Sequence, residues 1–301
     1  MSERFTREHI ETWRRDGGVL IPQFFTPQEV AAVVADFETV FADVEASDQA
    51  MVKAPSFHPK QFKDIRHVPL DCSPALNLIG VHPALLALAR AALGTEDLHI
   101  YQFQAWAKHT GAADYDQPFH CDYLNHTLTA PSEDAWRNSL TVMCYFTDVT
   151  EAHGPMHYVP KPDSDRFAGP EGTLGGPETQ AVLHEKLAPY ARSTASPAGS
   201  IFPYGIDLYH RGTNLTAPRG YRYAVTACFK RRDDDVIGYH AWPYHHTQPW
   251  AKIFDHATPE QLACFGVQPP GHPFWTATTL KRAQARYPDW DLTPWREAQT
   301  T

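Results

Sequence analysis

The stretch Pro118-Phe119-His120-Cys121-Asp122-Tyr123 carries a histidine and an aspartate separated by a single residue. On an extended backbone, alternate residues point to the same face, so the imidazole of His120 and the carboxylate of Asp122 would lie side by side. Two histidines and one carboxylate form the facial triad of non-haem iron sites. The pair alone is weak evidence, because a chain with 17 histidines can contain a His-x-Asp by chance.

The third ligand of such a triad comes from a distant segment, and His210 is the candidate. It lies in Asp207-Leu208-Tyr209-His210-Arg211-Gly212-Thr213-Asn214. A facial triad leaves adjacent metal positions open for a chelating co-substrate and dioxygen, as in non-haem Fe(II) oxygenases. We therefore predict that His120, Asp122 and His210 meet at one metal site.

The composition restricts the kinds of partner. The chain has 301 residues, of which 20% are charged, and a formal net charge of -9. This acidic balance argues against a nucleic acid or an anionic membrane, because either needs a basic face. A small-molecule substrate is the expected partner, and the sequence does not indicate an oligomeric state.

The cysteines and the N-terminal residues indicate the compartment. Five cysteines without a CxxC pair indicate neither a disulfide framework nor a thiolate zinc site. The first residues are charged, and no apolar run approaches the roughly 18 residues that a membrane span needs. We therefore expect a cytoplasmic protein without a signal peptide.

Helical patterns precede the strand-rich part of the chain. Thr6 is the predicted N-cap of a helix that ends near Arg15, before a glycine pair. Thr26 caps a second helix, which starts with proline and carries an apolar stripe at helical spacing. A third helix is predicted from Pro83 to Leu93, ended by Gly94, and the Pro- and His-containing stretch 46–73 is expected to be a loop.

Beyond His99 the apolar period becomes two, which predicts strands. The predicted strands cover 100–108, 139–147, 198–204 and 221–229, with a turn and a short strand within 154–160. In the first of them Gln102, Gln104, Trp106 and Lys108 share one face, which is typical either of a solvent face or of a barrel interior that binds a polar molecule. Many short strands separated by turns favour a sandwich or barrel, and a jelly roll is the economical choice.

We predict a mainly β protein with flanking helices that forms one domain over 1–301. The β core would cover about 98–230, with N-terminal helices in 5–95 packed on it. The segment 231–301 would be a C-terminal extension, with a helix near 279–287, that packs over the core.

The order of five motifs resembles the phytanoyl-CoA dioxygenase family over roughly residues 5 to 230. The motifs are Asp16-Gly17-Gly18-Val19-Leu20-Ile21-Pro22, Phe119-His120-Cys121-Asp122, Gly154-Pro155-Met156-His157-Tyr158-Val159-Pro160, Pro197-Ala198-Gly199-Ser200-Ile201-Phe202 and His210-Arg211-Gly212-Thr213-Asn214. The resemblance implies a double-stranded β-helix that uses Fe(II), 2-oxoglutarate and O2. It also implies that His120, Asp122 and His210 are the iron ligands.

The resemblance further implies an arginine, beyond the distal histidine, that pairs with the far carboxylate of 2-oxoglutarate. Arg222 is preferred because it begins a strand and precedes Tyr-Ala-Val, whereas Arg219 lies in a Pro-Arg-Gly turn at a shorter spacing from His210. A planar guanidinium matches a carboxylate better than an ammonium does. Gln104 and Thr213 are expected as further polar contacts to 2-oxoglutarate.

Five residues near these motifs are candidates for the substrate pocket. They are Trp106, Tyr123, Asn125, Met143 and Tyr145. For the aromatic members, packing in the core is an equally good explanation of their positions.

The reaction that the resemblance implies is hydroxylation of a C–H bond in a small organic metabolite, with release of succinate and CO2. Desaturation, ring formation and epoxidation need the same ligands, so they stay open. Halogenation typically needs a small residue in place of the carboxylate, and Asp122 argues against it. A third class, a cupin-type zinc hydrolase or a binding module without turnover, is disfavoured by the intact triad and the arginine.

Overall fold

The computed structural model describes residues 4–42, 61–68, 70, 72–111, 115–234, 251–255, 259, 262 and 267–299. The described helices are α1 (Arg7–Asp16), α2 (Pro27–Val40), α3 (Pro74–Ile79), α4 (Pro83–Leu93), α5 (Tyr123–His126), α6 (Ala135–Asn138), α7 (Lys161–Ser164), α8 (Pro177–Leu187), α9 (Ala251–Phe254), α10 (Ala277–Arg286) and α11 (Thr293–Glu297). The described strands are β1 (Phe62–His67), β2 (Leu98–His109), β3 (Ser139–Tyr145), β4 (Met156–Val159), β5 (Arg192–Ser193), β6 (Ile201–Tyr204), β7 (Tyr209–Gly212) and β8 (Tyr221–Arg231).

Two antiparallel sheets form the core. The larger has the strand order β1-β2-β8-β3-β6, and the smaller has the order β5-β4-β7. His120 forms a β-bridge with His210 of β7, so the His-x-Asp segment joins the smaller sheet. Distant segments pair in both sheets, as in a double-stranded β-helix. The predicted jelly-roll core with flanking helices is confirmed.

The N-terminal helices pack on the outer face of the larger sheet. Along β8 the side chains alternate, and the apolar set with Tyr223 and Phe229 packs against Trp13 of α1, Phe37 of α2 and Leu88 of α4. The opposite face of the strand therefore points into the barrel.

Helix ends follow the capping residues that the sequence predicted. Thr6 and Thr26 each accept a hydrogen bond from the third helical residue, and that residue's side chain reaches back to the cap. Gly17 and Gly94 end α1 and α4 with φ of 79° and 65°, a conformation that glycine adopts without steric cost.

Part of one predicted loop is a strand in the structure. Residues 61–68 fall in the expected loop, yet Phe62–His67 forms β1, which pairs with β2. The pairing partner comes from another part of the chain, so local composition did not indicate it. The predicted C-terminal helix is present as Ala277–Arg286.

Within the described ranges, one stretch, Pro74–Leu93, has the length and apolar composition that could cross a membrane. It comprises α3 and α4, and Leu76, Leu85 and Leu88 on these helices are buried in the main core. A core helix of this composition passes the same test, so the stretch is weak evidence for a span.

Candidate metal centre

The structure brings His120, Asp122 and His210 together. Their nearest ligand atoms all lie within 4.8 Å of one another, and His210 Nε2 is 3.5 Å from Asp122 Oδ1. His210 lies on β7, and its bridge to His120 places the two imidazoles 4.7 Å apart between ring centroids. The β-bridge therefore creates the geometry of the triad.

Backbone carbonyls orient both imidazoles. Nδ1 of His120 lies 2.9 Å from the carbonyl oxygen of Pro118, and Nδ1 of His210 lies 3.0 Å from that of Leu208. A carbonyl only accepts, so each Nδ1 carries a hydrogen, which in a neutral imidazole leaves the lone pair on Nε2. Both rings are thus in the tautomer that binds a metal through Nε2.

The carboxylate of Asp122 is buried and supported on its other oxygen. The Tyr204 hydroxyl donates to Asp122 Oδ2 over 3.1 Å, and His126 Nε2 lies 3.6 Å from the same oxygen. Burial alone would raise the pKa of Asp122, but His210, His126, His120 and the Tyr204 hydroxyl outweigh it and lower that pKa.

Desolvation by burial, with a Coulombic contribution from the nearby His210 imidazole, lowers the pKa of His120 to about 4. At neutral pH this imidazole is uncharged and the Asp122 carboxylate is ionised. The donor set therefore matches the nitrogen and oxygen ligands of a non-haem Fe(II) site.

A cavity of about 680 Å³, including its opening to solvent, adjoins the triad. Arg222 lines one end, and Gln102, Thr141 and Cys228 line the other. Trp106 and Met143, two of the predicted pocket residues, also line it.

Arg222 is buried at its end of the cavity. Its Nη1 donates to the carbonyl oxygen of Gly154, whereas its buried Nε has no hydrogen-bond partner among the residues that the structure describes. An unpaired guanidinium N–H that is excluded from water is costly unless a ligand accepts from it. Arg219, the alternative, is exposed and does not line the cavity.

A model of the phytanoyl-CoA dioxygenase (PhyH) family matches residues 13–216, which include all three residues of the triad. The chain belongs to the phytanoyl-CoA dioxygenase family. Arg222 and the helix α10 lie beyond the part of the chain that the family model matches.

Curated relatives are similar in sequence to about half of this PhyH-family chain. An ectoine dioxygenase of Bordetella parapertussis is 27% identical over 163 residues, which cover 53% of this chain and 50% of the relative. The chain thus spans about half the length of the curated relatives it matches.

Two solved structures share the fold of this PhyH-family chain at low identity. HygX from Streptomyces hygroscopicus, with nickel, 2-oxoglutarate and hygromycin B bound, has a TM-score of 0.54 and 16% identity, covering 76% of this chain and 88% of that chain. EctD from S. alaskensis with bound Fe has a TM-score of 0.53 and 16% identity, covering 76% of this chain and 78% of that chain.

Gln104 and Thr213, expected to contact 2-oxoglutarate, do not line the cavity of this PhyH-family protein. The Gln104 carbonyl oxygen accepts from the amide of Gln102, and its amide lies 3.5 Å from His67 Nδ1. The Thr213 hydroxyl donates to the carbonyl oxygen of Pro155 over 2.7 Å. Both side chains therefore bond to the wall of the barrel.

Tyr123 and Tyr145, expected in the substrate pocket, also lie outside the cavity lining. The Tyr123 hydroxyl donates to the carbonyl oxygen of Arg282 over 2.7 Å, which places this ring in the C-terminal apolar core. The Tyr145 hydroxyl lies 2.7 Å from Thr194 Oγ1, and its ring packs under the Arg222 guanidinium. The side chain of Asn125 lies outside the described residues.

Lys108 is a buried amine that sequence reasoning did not assign to the site. It pairs with Arg222 across β2 and β8, and its Nζ donates to the carbonyl oxygen of Thr213. Burial, with repulsion from Arg222, lowers the pKa of Lys108 to about 5. Lys108 lies on the same face of β2 as Trp106, and this alternation is the sequence feature that could have indicated an inward-pointing side chain.

Tyr204 and His126 are further cavity residues without an assigned role in the sequence. His126 follows Asp122 by one helical turn, so its approach to the carboxylate follows from α5. Tyr204 is distant in sequence, and no local pattern indicates that its hydroxyl reaches Asp122.

Proposed function

We propose that this protein is a non-haem Fe(II)/2-oxoglutarate-dependent dioxygenase that hydroxylates a C–H bond of a small organic metabolite and releases succinate and CO2. One observation carries the proposal: a His-Asp-His triad, in which Asp122 and His210 are buried, shares a cavity with an arginine whose Nε lacks a partner in the described structure. Family membership and relatives named ectoine dioxygenase support it.

His120, Asp122 and His210 would hold the iron. Two imidazole nitrogens and one carboxylate oxygen suit Fe(II), and their arrangement on one side leaves positions open on the other. When bound with 2-oxoglutarate and O2, the iron supplies the oxidising chemistry. The residues of the chain supply binding, orientation and exclusion of water.

Arg222 would bind the carboxylate of 2-oxoglutarate that is remote from the metal. Its guanidinium lines the cavity, and the Tyr145 ring and the Gly154 carbonyl hold it from behind. A fork of N–H donors in a buried site pairs with a carboxylate in a defined orientation. Arg222 would thereby direct the keto acid group towards the triad.

Trp106 and Met143 would pack on the primary substrate, because both line the cavity between its ends. Trp106 is held in place by donation from its Nε1 to Thr226 Oγ1 over 2.8 Å. Desaturation, ring formation or epoxidation would use the same ligands, so product analysis distinguishes them from hydroxylation.

We further propose a cytoplasmic protein that acts on small molecules, without a nucleic-acid or membrane partner. The acidic net charge of -9 supports this, because nucleic acids and anionic membranes attract basic surfaces.

The proposal is tested by iron loading and succinate release. Anaerobically purified protein should bind one Fe(II) and then convert 2-oxoglutarate to succinate only when O2 is admitted. His210→Ala should lose iron binding and turnover while keeping its fold, as judged by circular dichroism. His157→Ala is the matched control, because His157 pairs with Glu151 over 3.1 Å and does not line the cavity.

Near-normal iron binding and succinate release by His210→Ala would contradict the triad assignment. Turnover of any substrate with zinc and without 2-oxoglutarate would instead support a cupin-type hydrolase.

A further inference from the structure

The cavity has two ends with different chemistry. Along the inward face of β8, Cys228 follows Arg222 by six residues, which corresponds to roughly 20 Å of strand. Thr141 of β3 pairs with Cys228 on one side and with Tyr204 on the other. Because Thr141 pairs with Cys228, it lies on the side of the triad away from Arg222. Its other neighbour, Tyr204, contacts Asp122 of the triad.

We call this end of the cavity the Thr141 subsite; it is lined by Gln102, His126, Thr141 and Cys228. Three of these side chains already have hydrogen bonds within the protein. The Gln102 amide donates to Gln104, the Cys228 thiol donates to Gln102 Oε1 over 3.1 Å, and His126 Nδ1 bonds to the Tyr101 hydroxyl.

Thr141 is the exception. Its hydroxyl lies close enough to the Cys228 thiol to act on it as a hydrogen-bond donor, but sulfur is a weak acceptor, and Oγ1 has no hydrogen bond of normal geometry in the described structure although the residue is only 1% exposed. A buried hydroxyl without a partner costs free energy, so a ligand that completes its hydrogen bonds is favoured. Because a hydroxyl both donates and accepts, a hydroxyl, carbonyl or amide group would satisfy it.

Charge excludes ionic groups from the same subsite. Apart from the histidines, Asp122 and Arg222 are the charged side chains among the described lining residues. Lys230, which is buried two residues beyond Cys228 on the same face of β8, does not line the cavity; its Nζ donates to Asn138 Oδ1 over 3.3 Å and lies over the Tyr101 ring. The two charges of Fe(II) and the one of Arg222 balance Asp122 and the two carboxylates of 2-oxoglutarate. A carboxylate, phosphate or ammonium on the substrate would therefore be buried without a partner, which is strongly unfavourable.

We infer that the Thr141 subsite binds an uncharged, hydroxyl-, carbonyl- or amide-bearing part of the primary substrate, and that Thr141 hydrogen-bonds to it. The inference rests on the proposed function and names the substrate class for that cavity. Thr141 is then a specificity-determining residue, and any ionic part of the substrate remains outside the cavity.

Matched probes test the inference by binding. Anaerobic protein loaded with Fe(II) and 2-oxoglutarate is titrated calorimetrically with n-hexyl, cyclohexyl and phenyl compounds, each as the alcohol, carboxamide, carboxylate, ammonium and phosphate ester. The alcohols and carboxamides should bind more tightly than the charged members of the same skeleton.

Variants at Thr141 assign the contact. Thr141→Val keeps the shape and removes the hydroxyl, so it should weaken the binding of neutral probes by about tenfold. Thr141→Ser keeps the hydroxyl and should bind them nearly as wild type does. Affinities for Fe(II) and 2-oxoglutarate should be unchanged in both variants, which also shows that they fold.

Three outcomes would overturn the inference. They are tighter binding of a charged series than of the neutral series, no binding of any neutral probe, or equal affinity of Thr141→Val and wild type for the neutral probes. These outcomes leave the proposed function standing if Fe(II) and 2-oxoglutarate bind normally. Failure of wild-type protein to bind Fe(II) or 2-oxoglutarate would instead defeat the proposed function.

Discussion

Tyr204 and Asp122 are 82 residues apart in sequence, and the tyrosine hydroxyl donates to the aspartate Oδ2 over 3.1 Å. This bond occupies one carboxylate oxygen, while Oδ1 lies 3.5 Å from His210 Nε2. The Tyr204 hydroxyl therefore determines which oxygen faces the position of the metal. Partners of this kind orient a ligand before the metal binds.

Replacing Tyr204 with phenylalanine should weaken iron binding by about tenfold or more, because Asp122 loses the donor that orients it. The measurement is an anaerobic Fe(II) titration against a competing chelator. Tyr209→Phe is the control, since the Tyr209 hydroxyl donates to the carbonyl oxygen of Gly169 over 2.7 Å, away from the triad. Equal iron affinity of Tyr204→Phe and wild type would show that the bond does not support the ligand.

Removing the guanidinium of Arg222 should raise the apparent KM for 2-oxoglutarate by roughly a hundredfold, about 2.8 kcal/mol, and leave iron affinity unchanged. Arg222→Lys should recover only part of this loss, because an ammonium cannot form the two-pronged contact. Arg219→Ala is the matched control, since Arg219 is exposed. A severe defect in Arg219→Ala beside a mild one in Arg222→Ala would reverse the assignment.

Lys108 should make stability depend on pH. Its pKa is about 5 in the folded protein, so between pH 5 and its ordinary value near 10.4 only the unfolded chain binds the proton. The unfolded state then binds more protons, and stability rises with pH. Relative to Lys108→Met, the free energy of unfolding of wild type should increase by about 1.4 kcal/mol per pH unit.

Urea unfolding of both proteins at pH 6, 7.5 and 9 measures this difference. The free energy of unfolding of Lys108→Met should exceed that of wild type by the largest amount at the lowest pH. A difference that stays constant across this range would mean that Lys108 is protonated in the folded protein.

Arg286 of α10 should stabilise the segment that follows Asp122. Its Nη1 donates to the carbonyl oxygen of Tyr123 over 3.1 Å and to Thr127 Oγ1 over 2.7 Å. Arg286→Gln should lower the free energy of unfolding by about 1.5–3 kcal/mol, the usual range for hydrogen bonds to a charged group. It should also accelerate amide hydrogen exchange in 123–128.

Arg296→Gln is the control for this prediction, because Arg296 donates to Gln284 Oε1 over 2.7 Å and lies away from that segment. Similar exchange in the two variants would show that α10 does not hold the segment through Arg286.

Local features of the chain were predictable from the sequence. The caps at Thr6 and Thr26 and the end at Gly94 depend on side chains within one helical turn, so the helices follow from short-range chemistry. Strand periodicity likewise predicted β2 and β8, since alternation depends only on backbone geometry. The motif order was sufficient to select His120 and His210 as a pair, which the structure brings together.

Pairing between distant segments decided what the sequence did not determine. Alternation predicts two faces of a strand, but only the helices packed outside β8 determine that Arg222 faces the cavity. Tyr123 is a second example, because the sequence was equally compatible with a pocket position and a core position for its ring. The contact of its hydroxyl with Arg282 of α10 places it in the core. The unpartnered hydroxyl of Thr141 and the Tyr204–Asp122 bond exist only once β3, β6 and the His-x-Asp segment meet. Hydrogen bonding and desolvation depend on three-dimensional neighbours, so these properties of the site arise from the tertiary structure.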